Sequence, residues 1–527
     1  MIGKRTQQSQ LFDVGNVYDL TLPASSFYAQ LAKAAPELFK DEDFAALYAK
    51  ERGRPSVPPA QLALLMLLQH HDQVSDQEAV DRTAFDLRWA AVLRRHAGTP
   101  FCAKSTLQLF RAHLVIHKKI EDLFVKSIEV AKKSGLLQGS LKAAIDTKPI
   151  LGRGAMRDTY NLLGDAISLL ARKLAKEQKQ AEDDYLKEAG LDRYLGKSLK
   201  GSADLDWSDP EARHTLLTQV VAEARVLLAR ADGASPEVRE AAGLLSSILL
   251  QDVEETSGDA STPPSARVKK GTAPGRIAST TDPEQRHGHK SEKNLFFGSK
   301  ASVVADVESQ IILSACVLAG DAPDKQDTLK QIQAAEANSG LPVVETQADC
   351  AYGDGGTRQE FADAKRILLA KVPQEAKREN AFPKSRFEID LVARRVTCPA
   401  GNTSTRHHME GDKQVFSFGS ACRDCPLRAQ CTTNRHGRKV QVHPQEALIR
   451  EARAYQQTPE GRDHLRQRVV VEHTLARLSH LGVGQARYFG RVKTGFQLLM
   501  ACTVVNLRRV WNWTVDQSTS EALAGAI

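Results

Sequence analysis

The amino-acid sequence predicts an α/β protein in which a mixed β-sheet is covered by helices. Two observations support this prediction. In the second half of the chain, short runs rich in β-branched residues alternate with longer stretches of helical spacing. Their order is strand, hairpin, helix, strand, helix and strand, which is typical of a mixed sheet with helices packed on it. At 527 residues the chain exceeds what one hydrophobic core usually organises, so we expect several structural units.

The N-terminal region, residues 1–138, is predicted to be a helical domain. Apolar residues recur at helical spacing in PSVPPAQLALLMLL and in KSTLQLFRAHL. Such basic helices with short turns suit DNA binding of the helix-turn-helix kind, and a simple packing role explains the pattern equally well. The most apolar run, residues 62–68, is too short to span a membrane, and the N-terminus has no secretory signal. We therefore expect a cytoplasmic protein.

The sheet-forming core is expected to come from separate parts of the chain. Residues 139–157 contain LKAAIDTKPI, which predicts a strand that ends at Asp146. Residues 277–375 contain a predicted hairpin, a helix, and the run LPVVETQADCAYGDGG, which predicts a strand that ends at Asp349 before a Gly-rich turn. Residues 451–515 are expected to complete the core with a helix and a basic C-terminal region.

Two insertions are expected to interrupt this core. Residues 158–276 predict a helical insertion with a linker, and the stretch 251–288 is expected to be loop because it is poor in large apolar residues. Residues 376–450 contain half of the eight cysteines of the chain, in a segment rich in Gly and polar residues. We expect this second insertion to be a small unit that needs a metal ion to fold.

Acidic residues at strand ends are the first candidates for a functional site. Cleavage of a phosphodiester needs an activated nucleophile and charge relief on the leaving oxygen, which two divalent ions supply together. Mg²⁺ prefers carboxylate oxygens, so Asp146 and Asp349 can share such ions if their strands are neighbours. A single acid at a strand end is more often a turn or cap residue. Four nearby acids are rivals for the second position: Asp321, Asp324, Asp327 and Asp354.

A third acid, Glu472, lies in the predicted helix HLRQRVVVEHTLARLSHL. Val471, Leu475 and Leu478 form an apolar stripe that predicts a buried face. Arg468 lies one turn earlier, where a surface ion pair with Glu472 is the more common interpretation. Between residues 453 and 509, however, ten Arg or Lys residues accompany only three acids, a balance of +7. A lone acid in a basic stretch favours a metal ligand surrounded by phosphate contacts, although a solvated helix face explains the charge as well.

A cluster of cysteines predicts a structural metal site. Four thiols with a C-x-x-C pair match a tetrahedral zinc site with no open position. A redox-active dithiol at Cys422 and Cys425 is the alternative, and it is disfavoured because no βαβ context surrounds the pair. The remaining cysteines occur singly in apolar surroundings and are expected in the core. The proposed zinc ligands are Cys398, Cys422, Cys425 and Cys431.

These motifs together resemble the RNase H-like DDE transposases of bacterial insertion sequences, in the branch whose last acid lies in a Tyr-Arg-Glu-Lys signature. The resemblance covers nearly the whole chain. AAIDTKPI resembles the motif of the first acid, ADCAYGDG that of the second, and RVVVEHTLARL followed by ARYFGRVKTGFQ that of the third. RHGHKSEKNLFFGSK precedes the hairpin, and cysteine patterns similar to this one occur in the branch.

The resemblance implies a mixed five-stranded sheet in which the first and fourth strands are adjacent. Asp146, Asp349 and Glu472 would then hold two Mg²⁺ or Mn²⁺ ions for DNA strand cleavage and strand transfer. It also implies double-stranded DNA as a partner, at the element ends and at the target, and a homo-oligomer, expected to be a dimer, because two ends must be held together. A DNA partner suggests association with the bacterial nucleoid.

The signature is incomplete, because Leu465 stands where the pattern has Tyr and Ser479 where it has Lys. The contacts to element-end DNA are therefore assigned by residue chemistry, since Arg and Lys bind phosphates and Tyr stacks on bases. A nuclease of the same fold and a domesticated, non-catalytic DNA-binding protein remain the alternatives. The candidates for DNA contact are Arg468, Tyr352, Arg487, Tyr488, Lys493 and Lys290.

Overall fold

The computed structural model describes residues 2–3, 22–49, 55–95, 98, 100–196, 198–256, 264–290, 294–373 and 381–524. It contains helices and a mixed sheet, as expected. Within these ranges, no helix combines the length and the apolar character needed to cross a membrane.

In the described part of the chain, six α-helices precede the first strand. The second of them carries the apolar run identified in the sequence, and its residues from Ala60 to His70 are buried against the neighbouring helices. These helices share one hydrophobic core with the central sheet and do not close a separate core. Their bounds are α1 Phe27–Leu38, α2 Pro59–Asp72, α3 Asp76–Phe85, α4 Leu87–Leu93, α5 Lys104–Ile116 and α6 Lys119–Lys133.

The central sheet has six strands. Their bounds are β1 Leu141–Leu151, β4 Arg286–His289, β5 Leu295–Asp306, β6 Ile312–Ala319, β7 Val343–Ala348 and β8 Ile367–Ala370. Strand β1 lies between β5, which is antiparallel to it, and β7, which is parallel to it. Strand β8 is parallel to β7, and β6 is antiparallel to β5 on the other side.

The expected number of five strands was wrong by one, because the short strand β4 also pairs with β5. Strand β5 has 12 residues and β6 has only 8, so the outer edge of β5 continues beyond β6. Strand β4 pairs with that free part, from Leu295 to Gly298. Covering the edge satisfies backbone groups that would otherwise remain unpaired.

A helical unit with its own core lies between β1 and β4. Its helices are α7 Thr159–Glu177, α8 Glu182–Glu188, α9 Leu199–Ser202, α10 Pro210–Arg230 and α11 Pro236–Asp252. A hairpin of β2 Val253–Thr256 and β3 Ser265–Val268 packs against it. The expectation of loop throughout 251–288 was therefore wrong, since β2, β3 and β4 all lie there; residues 257–263 of that stretch are outside the described ranges.

The cysteine-containing segment forms two small three-stranded sheets around a core that includes Phe387, Val396 and Phe416. Its first expected residues, 376–380, lie outside the described ranges. The strands and the one short helix are β9 Glu388–Asp390, β10 Arg395–Thr397, β11 Thr403–Ser404, β12 His407–Glu410, β13 Lys413–Ser417, α14 Arg428–Cys431 and β14 Lys439–Val442.

The remaining helices cover the central sheet. Helix α12 Thr328–Ser339 lies between β6 and β7 in the chain, and α13 Gly355–Asp363 lies between β7 and β8. After the cysteine segment the chain continues with α15 Glu446–Tyr455, α16 Pro459–Gln467, α17 Val469–His480 and α18 Arg491–Ala524. Helix α17 packs on β1 and β5, and α18 packs on α6 and β6.

Asn506 on α18 joins three parts of the shared core. The strand pairing of β5 and β6 has an irregularity next to Ile312, and the Asn506 side chain supplies the hydrogen bonds there. Its Oδ1 accepts from the Ile312 amide at 2.8 Å, and its Nδ2 donates to the Ile312 carbonyl at 2.9 Å and to Ser127 Oγ at 3.1 Å. The side chain is fully buried.

Asn506→Ala is expected to lower the free energy of unfolding by about 2–3 kcal/mol, because it leaves buried backbone groups of Ile312 without partners. Urea unfolding followed by circular dichroism measures this. The matched control is Asn512→Ala, on an exposed position of the same helix, which is expected to change stability by less than about 0.5 kcal/mol. Equal stability of the two variants would contradict the role of Asn506.

Candidate functional site

Asp146 lies in the middle of strand β1. The sequence placed it at the end of a strand, and this was wrong, because β1 continues to Leu151 through pairing with β5. The Asp146 side chain is 18% exposed. One of its carboxylate oxygens accepts a hydrogen bond from the Thr147 amide at 2.7 Å.

Asp349 follows directly after the last residue of β7. Strands β1 and β7 are parallel, and Ala144 lies opposite Gln347. If this register is continued by two residues along both chains, Asp146 lies opposite Asp349. The Asp349 carboxylate accepts a hydrogen bond from the Ala351 amide at 2.8 Å and thereby caps the short 3₁₀ turn that follows β7.

Glu472 comes from the first turn of α17. Its neighbours Val471, Leu475 and Leu478 are buried and hold the helix against β1 and β5, as the apolar stripe predicted. The Glu472 side chain is 50% exposed. The single helix predicted for this region is in fact two, α16 and α17, with Arg468 at the break between them.

Arg468 connects the first and third acids. Its Nη2 donates to Glu472 Oε1 at 2.7 Å, and its Nη1 lies 3.4 Å from Asp146 Oδ2. The interaction with Glu472 is the i,i+4 ion pair, the more common interpretation of this spacing, although the basic surroundings in the sequence favoured a metal ligand over it. The contact to Asp146 spans 322 residues of chain. The guanidinium therefore links α17 to β1 at the level of the acids.

The pKa of Asp146 shows that the three acids share one environment. The net effect of its surroundings raises this pKa from the ordinary 3.8 to about 6, and burial is the largest cause. The hydrogen bond from the Thr147 amide and the charge of Arg468 lower this pKa, while the charges of Asp349 and Glu472 raise it further. A carboxyl whose pKa is raised by two neighbouring acids is a physical mark of a site that attracts cations.

Asp146→Asn is expected to stabilise the metal-free protein at pH 7 by about 2 kcal/mol. Because the pKa is higher in the folded state than in the unfolded chain, the charged carboxylate costs stability at a pH above about 6. Below the ordinary value of 3.8 both states are protonated, so the difference between the two proteins is expected to disappear.

Urea unfolding in the presence of EDTA, repeated across this pH range, measures the difference. Asp363→Asn, at an exposed position of α13, is the control and is expected to show no such pH dependence. If Asp146→Asn instead destabilised the metal-free protein at pH 7, that result would contradict the shared acidic environment.

The donor chemistry of the site fits Mg²⁺ or Mn²⁺, because its groups are carboxylate oxygens around one partly buried position. Among the described residues, however, no group of three or more acidic, His or Cys side chains is arranged closely enough to hold a metal ion. At the acids, the guanidinium of Arg468 lies between Asp146 and Glu472.

The rival acids have other partners or positions. Asp324 pairs with Lys300 at 2.7 Å, and Asp327 pairs with Lys330 at 2.7 Å. Asp354 caps α13 and also pairs with a lysine. Asp321 is exposed to solvent.

The candidate DNA contacts divide into exposed and buried side chains. Lys290 and Lys493 are exposed. The Arg487 guanidinium donates to the carbonyl of Val74, so it is engaged within the protein. Tyr352 is fully buried, and the expectation that it stacks on a base was therefore wrong. Tyr488 is largely covered, and burial raises its pKa.

The sequence analysis missed two exposed or half-buried side chains near these candidates. Lys148 lies two residues after Asp146 on the same strand, so the alternation of a β-strand puts both on one face. That period of two was visible in the sequence. Phe489, which is 45% exposed, directly follows Arg487 and Tyr488, two of the candidates for DNA contact. No local signal distinguishes it from Tyr488.

Cys398, Cys422, Cys425 and Cys431 line one cavity in the small cysteine-containing unit. Burial raises the pKa of Cys431, and the charges of the other three thiols raise it further, so all four lie near one another. None of them is in a disulfide. They do not meet the spacing of a metal-holding group among the described residues.

The cysteines outside this cluster were expected in the core. Cys102 and Cys502 are buried and Cys316 is half-buried, in agreement with that expectation. Cys350 is exposed, so the expectation was wrong there. It follows Asp349 in the turn at the end of β7, where the chain leaves the sheet.

Two family models match the chain. Residues 16–113 match the family described as Transposase domain (DUF772), and residues 397–511 match the family described as Transposase DDE domain. The second match contains Glu472 and the four clustered cysteines, whereas Asp146 and Asp349 precede it. No curated protein and no solved structure matches the chain.

Proposed function

Because the chain belongs to the DDE-type transposases of insertion sequences, we propose that it binds the inverted-repeat ends of its element and catalyses metal-dependent strand cleavage and strand transfer. Asp146, Asp349 and Glu472 are the proposed catalytic acids. The central sheet is proposed to be an RNase H-like core, formed by residues 139–157, 277–375 and 451–515.

The parallel register of β1 and β7 is the observation that carries this proposal. It directs Asp146 and Asp349, which are 203 positions apart in the numbering, to the same level of one sheet. Arg468 then links Glu472 to Asp146. The sheet order has β5 and β6 on one side of β1 and β7 and β8 on the other, so that, with the short strand β4 left out of the count, the first and fourth strands are adjacent. This adjacency supports the proposed RNase H-like core.

Two Mg²⁺ or Mn²⁺ ions bound by the three acids would supply an activated nucleophile and charge relief on the leaving oxygen. The residues of this chain position the acids: Thr147 and Ala351 donate backbone hydrogen bonds that orient Asp146 and Asp349. Arg468 balances the acidic charge while cations are absent. Its guanidinium would also be the group of the site that contacts a DNA phosphate.

DNA binding is assigned to two regions. The N-terminal helices, residues 1–138, and the basic region after residue 453 are proposed to recognise the element ends and the target duplex. Lys290 and Lys493 are exposed cations available for phosphate contacts. We also propose a homodimer, because two ends must be held together, acting on DNA in the bacterial nucleoid.

We propose that the four clustered cysteines bind a structural Zn²⁺ ion. Among the described residues, the core of this unit has seven buried apolar side chains besides Cys431, and so small a core supports the need for a metal ion to hold the unit together. Their shared cavity and mutual effect on the pKa of Cys431 support a common ligand. Residues 376–450 would form this zinc-binding insertion, and 158–276 the helical one.

A strand-transfer assay with Mg²⁺ and pre-cut element ends tests the function. The expected result is joining of the 3′-hydroxyl end to target DNA. A nuclease of the same fold would cut uncut ends but leave pre-cut ends unjoined. A non-catalytic DNA-binding protein would shift the mobility of end DNA and leave it intact with or without Mg²⁺. Either result would overturn the proposal.

A further inference from the structure

The turn at residues 487–491, here called the Phe489 turn, presents an aromatic side chain to solvent. The Phe489 side chain is 45% exposed, whereas the neighbouring Tyr488 is packed inward beneath the guanidinium of Arg111. The face of the Phe489 ring is therefore accessible to a ligand. Val492, the first exposed apolar residue after the turn, is 67% exposed.

The turn is held rigidly by hydrogen bonds from its backbone. The Gly490 amide donates to the Asp282 carboxylate at 3.0 Å, and the Arg491 amide donates to Glu284 at 2.6 Å. The Arg487 amide donates to Gln497 Oε1 at 2.7 Å. Gly490 has a φ of 84°, a conformation that favours glycine. The ring is therefore preorganised in an outward position.

Cations accompany the exposed ring. The Arg153 guanidinium lies 5.7 Å from the centre of the Phe489 ring, and its Nη1 donates to the Arg487 carbonyl at 2.9 Å. Lys148 lies between this turn and the acids, and it is near Lys290. Burial lowers the pKa of Lys148, and the charge of Lys290 lowers it further. In the part of the chain that is described, neither lysine has an ion-pair partner.

Strand β1 connects this turn to the candidate active site. The Leu151 amide donates to the Gly484 carbonyl at 2.9 Å, and the Ala486 amide donates to the Leu151 carbonyl at 2.8 Å. These bonds fasten the segment leading to Phe489 onto the end of β1. Asp146 is five residues back along the same strand, which corresponds to about 16 Å. Lys148 lies between the two.

We infer that the Phe489 turn is a stacking platform for an unpaired base of the DNA strand that leaves the active site, with Lys148 and Arg153 contacting its phosphates. An exposed aromatic ring flanked by cations is the chemistry that binds single-stranded nucleic acid. In a duplex, the faces of each base are stacked against the neighbouring base pairs, so the phenyl ring cannot stack on them. The inference rests on the proposed function, since it takes DNA as the ligand.

Binding of a fluorescein-labelled oligothymidylate of about a dozen nucleotides, a length typical of such sites, tests the inference. Fluorescence anisotropy is measured on the full-length protein in EDTA, so that no cleavage occurs. Phe489→Ala is expected to weaken binding of the single strand about tenfold, whereas Phe489→Trp keeps it within about twofold. Both variants are expected to bind a duplex of equal length with the same affinity as the original protein.

Leu250→Ala is the matched control, because Leu250 is 72% exposed on the helical insertion. This substitution is expected to change neither the affinity for the single strand nor the affinity for the duplex. Lys148→Gln is expected to weaken single-strand binding. It is also expected to reduce the slope of log affinity against log salt concentration by the amount that corresponds to about one phosphate contact. Thermal melting checks that each variant is folded.

The inference fails if Phe489→Ala binds the single strand as well as the original protein, or if it loses duplex affinity to the same extent. It also fails if the variant changes sedimentation, which would make the ring a contact to a second copy. If the original protein binds neither DNA form, the proposed function itself fails. Binding of both forms with no effect at Phe489 overturns this inference alone.

Discussion

Asp349→Asn is expected to reduce the rate of DNA strand cleavage by about a thousandfold or more, and to leave binding of end DNA nearly unchanged. The substitution keeps an oxygen that accepts the hydrogen bond from the Ala351 amide, so the cap after β7 is preserved. It removes one negative charge from a proposed site of three acids and one arginine. The proposed ions would lose a ligand and much of the electrostatic attraction that holds them.

Cleavage is measured with Mg²⁺ and with Mn²⁺ on a labelled element end, and DNA binding by gel shift in EDTA. The matched control is Asp363→Asn, an exposed aspartate on the helix that follows the same turn, and it is expected to cleave like the original protein. Equal products from the original protein and from Asp349→Asn would remove Asp349 from the catalytic site. Loss of cleavage in both variants would point to a general defect.

Cys425→Ser is expected to remove a bound zinc ion and to unfold the cysteine-containing unit. The original protein is expected to contain about one Zn²⁺ per chain, and the variant close to none. The core of this unit is small, so loss of the ion would leave too little buried surface to hold two three-stranded sheets together. Mass spectrometry of metals and limited proteolysis between residues 381 and 446 measure the two effects.

Cys350→Ser is the control for this experiment. Cys350 is exposed and lies outside the cluster, so its substitution is expected to change neither zinc content nor protease resistance. A purified protein without zinc, or one with a disulfide between Cys422 and Cys425, would contradict the structural zinc site. The disulfide would support the redox interpretation of the pair.

The local patterns of the sequence predicted several secondary-structure elements around the candidate site correctly. The stripe of Val471, Leu475 and Leu478 predicted the buried face of α17, because helix periodicity depends only on nearby residues. The spacing of four between Arg468 and Glu472 allowed their ion pair, which the structure shows although the basic surroundings favoured a metal ligand over it. The strand containing Asp146 was also visible, but its extension to Leu151 depends on pairing with β5, which lies more than 140 residues later.

Aromatic residues illustrate what the sequence did not reveal. Tyr352, Tyr488 and Phe489 are similar candidates for stacking when only the residue types are known. The structure buries Tyr352 completely and covers most of Tyr488, and only Phe489 is held outward, by bonds to Asp282 and other distant groups. Burial depends on what packs against a side chain, and those partners come from other parts of the chain.

By itself the sequence determined most of the longer helices and strands, the candidate acids and the clustering of the four cysteines, because each depends on residue types at short spacing; it missed the short strands β2, β3 and β4. The tertiary structure decided that β1 lies beside β7, that Arg468 reaches Asp146 as well as Glu472, and that β4 extends the sheet. These are outcomes of strand register and of packing between remote segments. The free energy that selects them is a property of the whole core, so no local pattern specifies them.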